Sequence, residues 1–251
     1  MDIKAFLDEK AAFYEHPKFI ETDPIQIPHQ FSLKEDIEIA GFLTATISWG
    51  NRKSIIKNAN RLMELLGNSP YDFVMQHSNE DLDRFEGFVH RTFNQTDITF
   101  FIQSLKNLYQ KYHSLEGFFT QFQHESDLQT AIHNFKQEFF SIPHPSRTQK
   151  HISDPHKNSA AKRINMFLRW MVRDATKGVD LGIWKTLSPA QLSCPLDVHS
   201  GNVARKLGVL KRKQNDGKAL KELDLALRSY DANDPVKYDY ALFGLGVFEQ
   251  F

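Results

Sequence analysis

Apolar residues recur along this chain at intervals of three and four, and no stretch alternates convincingly between apolar and polar, so the pattern predicts helices nearly throughout and an all-α fold. The clearest early helix opens at Ser32-Leu33-Lys34-Glu35, which reads as a capping box. It continues through Ile39, Phe42, Leu43, Ala45 and Ile47 to Trp49, and Gly50-Asn51 stops it. A second helix, from about Lys53 to Leu66, gathers Ile56, Ala59, Leu62, Met63 and Leu66 on one face. Residues 71–142 are rich in phenylalanine and predict several shorter core helices. The X-Pro steps at Pro143, Pro145 and Pro155 disfavour helix, so residues 143–157 read as a basic loop.

Beyond that loop, Asn158 to Arg173 has helical spacing again. At ~100° per residue, Lys162, Asn165, Arg169 and Arg173 fall in one stripe, while Ile164, Phe167, Leu168, Met171 and Val172 fill the rest. This predicts a largely buried helix with one polar seam, either a solvent edge or the wall of a cleft. Asp197, in Pro195-Leu196-Asp197-Val198-His199, is the expected N-cap of the next helix, whose Gly201 and Ala204 permit close approach by another backbone. The organisation expected is one compact two-lobed unit over residues 1–251. Residues 31–142 form a mainly helical core lobe, residues 143–210 carry the basic loop and the lysine and aspartate helices, and residues 211–251 pack back on the core.

Composition narrows the chemistry. A lone cysteine, Cys194, excludes an intramolecular disulfide and a four-cysteine metal or iron–sulfur site, and neither a metal nor a cofactor is expected. No apolar run approaches the ~20 residues of a membrane span, and the start lacks a signal-peptide plan, so no membrane partner and a cytoplasmic location are expected. The formal net charge of zero hides an asymmetry: residues 1–145 hold 13 basic and 20 acidic side chains, residues 146–185 nine and three, and residues 200–218 six and one. Basic charge so concentrated is the footprint of a phosphate-backbone binder. The lack of a glycine-rich phosphate loop or paired-histidine motif argues against a nucleotide-dependent enzyme or a metallohydrolase.

Lys162 near a helix start sits by the positive end of the helix dipole, a setting that favours its neutral, nucleophilic form. A carboxylate pinned at a helix N-terminus, as expected for Asp197, is oriented to stabilise a developing positive charge.

These residues carry a resemblance. Lys162-Arg163-Ile164-Asn165-Met166-Phe167-Leu168, then Leu196-Asp197-Val198-His199 and Val203-Ala204-Arg205-Lys206-Leu207-Gly208, resemble the signature of the helix-hairpin-helix DNA glycosylase superfamily. That signature has a lysine just after a glycine-bearing hairpin, an aspartate in a hydrophobic-Asp-Thr-His-like pattern, and an amphipathic helix ending in Leu-Gly. The blocks at residues 167–173, 195–199 and 234–246 are similar to an uncharacterised bacterial family distantly related to the archaeal 8-oxoguanine glycosylases. The superfamily resemblance is strongest over residues 158–210 and the family-level one spans Phe31 to Gly246. In place of the hairpin glycines stand Asn158 and Ala160, and the long Lys162–Asp197 spacing makes residues 177–192 an insertion.

The resemblance implies a two-lobed helical bundle with a cleft between lobes, and a base-excision repair glycosylase, with or without lyase activity, acting on an oxidised purine such as 8-oxoguanine. Lys162 would attack C1′ and form a Schiff base, and Asp197 would stabilise the cationic sugar. Trp49, Trp170 and Trp184 are the candidates for the slot that takes the extruded base. Lys157, Arg163, Arg205 and Lys206 are the candidates for phosphate contacts. The implied partner is double-stranded DNA with a damaged base, with no obligate protein partner. The alternative reading is a non-catalytic nucleic-acid-binding protein that keeps the fold.

Overall fold

The computed structural model describes residues 2–251. Among them run α1 (Ile3–Tyr14), α2 (Lys34–Ile47), α3 (Arg52–Leu65), α4 (Pro70–Gln76), α5 (Gln95–Tyr112), α6 (Leu115–Phe119), α7 (Gln129–Phe139), α8 (Lys162–Val172), α9 (Val198–Lys206), α10 (Gly217–Tyr230) and α11 (Tyr238–Phe248). The class is all-α. Its only sheet among the described residues pairs β1 (Val89–His90) with β2 (Phe93–Asn94) antiparallel. Two-residue strands are too short to show a period of two, which is why the pattern of apolar positions missed them.

Boundaries differ from expectation where local hydrogen bonds decide them. The capping box expected at Ser32 does not form: α2 starts at Lys34 with Leu33 at its cap and no side-chain cap bond. Glu35 and Asp36 place carboxylates in its first turn instead, against the positive end of the helix. α2 ends at Ile47, short of the stop expected at Gly50-Asn51, and Asn51 instead begins α3 by accepting the Ser54 amide at 3.2 Å. Instead of only short helices, residues 71–142 contain the 18-residue α5, whose start is a reciprocal capping box between Asn94 and Asp97. The basic loop contains two 3-10 turns, Ser146–His151 and Pro155–Lys157.

The chain divides into two compact units that interleave in sequence. One takes Thr22–Gln121 and Asn134–Ser153; the other takes the chain up to Glu21, Phe122–His133 and Asp154–Phe251. The first has a phenylalanine core in which Phe42 lies parallel to Phe101 with ring centres 5.9 Å apart, and Phe101 meets Phe139 at 4.7 Å. Glu38 is fully buried there, yet it accepts from the Tyr109 hydroxyl at 2.7 Å and the Leu115 amide at 2.9 Å. The second bond occupies an otherwise orphan amide at the start of α6, so burial leaves neither group unsatisfied.

The second unit is organised on α8. Beyond Lys162 its polar stripe is neither a solvent edge nor a cleft wall: Asn165, Arg169 and Arg173 are 1%, 4% and 5% exposed. Arg169 donates to Asp180 at 3.2 Å and to Asp239. Arg173 donates to Asp180 at 3.0 Å, to Asp234 at 2.9 Å and to Glu15. Burial disfavours the Arg173 cation, but these carboxylates outweigh it and hold the guanidinium above its ordinary value. Tyr240 lies under both arginines, its ring centre 4.5 Å from the Arg169 guanidinium carbon. The acids come from sequence positions 15, 180, 234 and 239, so no helical period could announce that the stripe is buried.

The insertion after α8 has a structural use. The Leu181 and Gly182 amides donate to the Trp170 carbonyl at 2.9 and 3.2 Å, and the Trp184 amide to Met171 at 2.9 Å, closing the end of α8. Gly182 has φ +55°, and a Cβ there would meet the Arg173 carbonyl at 2.8 Å, so glycine is required. Trp184 returns edge-on to Phe167, with ring centres 5.4 Å apart. No described helix is long and apolar enough to cross a membrane.

Replacing Arg173 with alanine leaves three carboxylates around an emptied buried position, and a loss of about 3–5 kcal/mol in unfolding free energy is expected. Equilibrium urea denaturation followed by circular dichroism measures it, and a loss below about 1 kcal/mol would mean that water reaches the network.

Candidate active site

The segment entering α8 is built by short-range capping. Asp154 accepts the His156 amide at 3.0 Å, which forms the turn Pro155–Lys157 and leads into Asn158 with a left-handed backbone at φ +60°. Asn158 then docks on the start of α10: its carbonyl accepts the Gly217 amide at 2.9 Å and its side chain accepts the Lys218 amide at 3.1 Å. The second left-handed residue is Ala161 at φ +43°, not Ala160, and it caps α8 without a side-chain bond. A left-handed alanine costs roughly 1–2 kcal/mol, so this turn is held by its surroundings.

Lys162 is the first residue of α8, and Asp197 is the N-cap of α9 as expected. One Asp197 oxygen accepts the Ser200 amide at 3.0 Å while the Ser200 hydroxyl accepts the Asp197 amide at 2.9 Å, a reciprocal box that fixes the carboxylate. Its other oxygen lies 3.9 Å from Lys162 Nζ. The two residues, separated by 35 positions in sequence, are thus brought together with side chains 30% and 19% exposed. At that distance the amine and the carboxylate are an ion pair without a tight direct hydrogen bond. Both therefore face solvent from the N-terminal ends of two different helices.

A second acid, not singled out from the sequence, lies buried on α11 against Arg169. Asp239, in the first turn of α11, is 5% exposed, bound by Arg169, and accepts from the Cys194 thiol at 3.6 Å. Burial pushes it up to about 6, and Asp197 adds to the rise while Arg169 and Lys162 oppose it. The available signal was an acid inside the apolar run Tyr238-Asp239-Tyr240-Ala241-Leu242.

Several other candidates are elsewhere employed. Trp170 and Trp184 are 0% and 1% exposed and belong to the core, so neither offers a face to a base. Trp49 is half-buried in the other unit, edge-on to His90 at 5.1 Å. Arg205 donates to the Arg212 carbonyl at 2.7 Å and to Asn215, holding the loop after α9 rather than presenting its guanidinium to phosphate. This same loop makes the close approach at Gly201, where a Cβ would meet the Asn215 side chain at 2.7 Å. Arg163 is half-buried, and burial lowers it to about 10. Lys157 and Lys206 are exposed. Most arginines of the basic stretches are thus spent internally, on carboxylates and loop carbonyls, while lysines such as Lys150, Lys177, Lys185 and Lys213 stay exposed.

Beside Asn158 and Gly217 lies a groove of about 450 Å³ whose wall includes Asp224 of α10. Asp224 accepts the Cys194 amide at 3.0 Å and faces Arg228 at 3.5 Å, and burial raises it to about 6.

The family described as a protein of unknown function (DUF2400) matches the chain over residues 23–248. No curated protein and no solved structure matches it.

The raised Asp224 has a pH signature. Between the ordinary carboxylate range and about pH 6 the folded chain holds a proton there that the unfolded chain has lost, so this residue's contribution makes stability fall as pH rises. Asp224→Asn removes that contribution. Its stability should decline less steeply than the unmodified protein's between about pH 4.5 and 6, by about 1 kcal/mol per pH unit. Urea denaturation across that range tests this, and parallel curves would show that Asp224 titrates normally.

Proposed function

We propose, from the premise that the chain belongs to the DUF2400 family of proteins of unknown function, that its Lys162–Asp197 pair excises a damaged base from DNA. The observation that carries this reading is the meeting of an amine and a carboxylate, distant in sequence, at 3.9 Å between the N-termini of α8 and α9. The resemblance of the segments bearing them to helix-hairpin-helix DNA glycosylases supplies the reaction class.

Lys162 Nζ attacks C1′ of an extruded nucleotide, the glycosidic bond breaks with its electrons going to the base, and the enzyme is left joined to the sugar. Asp197, held by Ser200 and unable to rotate freely, places negative charge beside the cationic sugar that develops. The α8 N-terminus has no side chain capping it, so its first-turn amides suit a DNA phosphate. Exposed Lys157 and Lys206 add positive charge for the backbone. The substrate class is duplex DNA with an oxidised purine. A non-catalytic nucleic-acid-binding role is the second reading, favoured by an alanine, rather than glycine, at the left-handed position before Lys162.

Borohydride trapping on duplexes containing 8-oxoguanine or an abasic site tests the proposal. A covalent adduct is expected with the unmodified protein, falling by at least about a hundredfold in Lys162→Gln while DNA affinity stays within about twofold. An adduct on the abasic duplex alone assigns a lyase with another base specificity. Salt-sensitive binding without any adduct selects the non-catalytic role.

A further inference from the structure

We propose that the groove beside Asn158 and Gly217 is a second ligand site, one that takes a nucleoside 5′-monophosphate with a guanine-type base. The inference goes beyond the Lys162–Asp197 reading and does not depend on it.

The groove lies wholly within the second unit, walled by α10, by the start of α7 and by the turn before α8. At about 450 Å³ it falls in the range of small-molecule pockets. Its wall holds acceptors that lack donors. Gln129 gives its side-chain amide to Asn165 at 3.2 Å, but its Oε1 is buried with no hydrogen-bond partner. Asp224, 7% exposed, accepts the Cys194 amide at 3.0 Å, meets the Ser193 hydroxyl and faces Arg228 at 3.5 Å. A carboxylate can accept about four hydrogen bonds, so part of its capacity is unused. An unpaired buried acceptor costs free energy that a donor from a ligand recovers.

Positive charge stands elsewhere on the same wall. Lys218 and Lys221 are exposed, three residues apart on α10, and form no ion pair among the described residues. Like charges at that spacing repel each other, and Lys218 in the first turn also meets the positive end of the helix. An anion beside them relieves both penalties. Asp127, the other acid of the wall besides Asp224, is committed to capping the Gln129 amide at 2.9 Å.

The wall also offers a flat ring. His156 is stacked on His133 with ring centres 3.9 Å apart and planes 15° from parallel. Asp154 fixes both, bonding the His133 ring at 2.8 Å and accepting the His156 amide at 3.0 Å. His156 lines the groove and His133 does not, so a planar ligand can extend the stack from the side away from His133. Leu225, 63% exposed, adds apolar surface to the same wall.

A ligand that satisfies all three features has a flat ring, adjacent donors on its edge and an anionic end. Guanine carries an imino and an amino donor side by side, suited to Asp224 and Gln129, and its 5′-phosphate is the anion for Lys218 and Lys221. Adenine offers an amino donor alone.

Isothermal titration calorimetry of guanosine 5′-monophosphate against the full chain tests this. Binding is expected at a Kd below about 1 mM. Inosine 5′-monophosphate, which lacks the amino group, and guanosine, which lacks the phosphate, should each bind about tenfold more weakly. Lys218→Ala and Lys221→Ala together should weaken the monophosphate about tenfold and leave guanosine unchanged, and both side chains are exposed, so the fold is kept. Lys162→Gln should stay within about twofold, which separates this site from the glycosylase reading. A 5′-phosphorylated trinucleotide beginning with guanine distinguishes the sources: tighter binding than the free nucleotide, lost in the double lysine variant, assigns the groove to the end of a strand, and weaker binding assigns it to the free nucleotide. No binding up to about 1 mM, equal affinity for the inosine compound, or an unchanged affinity in the double lysine variant overturns the proposal.

Discussion

The second unit depends on the burial of Arg169 and Arg173 among Glu15, Asp180, Asp234 and Asp239. Two guanidiniums at successive turns of α8 reach the end of α1, the insertion after α8, the loop before α11 and α11 itself. Compared with an apolar core of the same volume, such a network adds little net stability. It adds uniqueness of arrangement, because a shift of any one segment strands a charge without water or partner. Each guanidinium has a fixed fork of donors, which makes the geometry directional as well as strong.

That constraint reaches the candidate site through α8. The same helix begins with Lys162 and carries Arg169 two turns later, so holding the arginines fixes where the lysine starts. Asp197 is fixed by a separate device, the reciprocal bonds with Ser200, and Asn215 reinforces it by donating to the Asp197 carbonyl at 2.7 Å. The insertion that lengthens the path between lysine and aspartate does not separate them. It folds back on the end of α8, supplies Asp180 to both arginines and buries Trp184. Extra sequence between two partners changes the route of the chain without changing where the partners stand.

Charge counted along the sequence proved a guide to the surface for most lysines, which stay exposed, and a poor one for the arginines. Of the arginines in the basic third quarter, Arg169 and Arg173 are ion-paired in the interior, and Arg147 bonds Asn94 and the Thr92 carbonyl within the phenylalanine-rich unit. Arg205 holds a loop, and Arg212 pairs with Asp216 at 2.5 Å. Arginine and lysine count alike in a net-charge argument, but arginine's several donors make it the residue that ties segments together inside a protein.

By itself the sequence determined the helical class, the places of α2, α3, α8 and α9, and the N-cap role of Asp197. These were legible because a 3.6-residue period and a cap depend on neighbours within one turn or so. Tertiary structure decided the rest: that the polar stripe of α8 is buried beyond Lys162, that two of the three tryptophans are core, that the left-handed alanine is Ala161, and that Asp239 is buried against Arg169. Each of those outcomes depends on which distant carboxylate, carbonyl or ring arrives beside a residue. Such arrivals are set by the packing of whole elements, which no local spacing encodes.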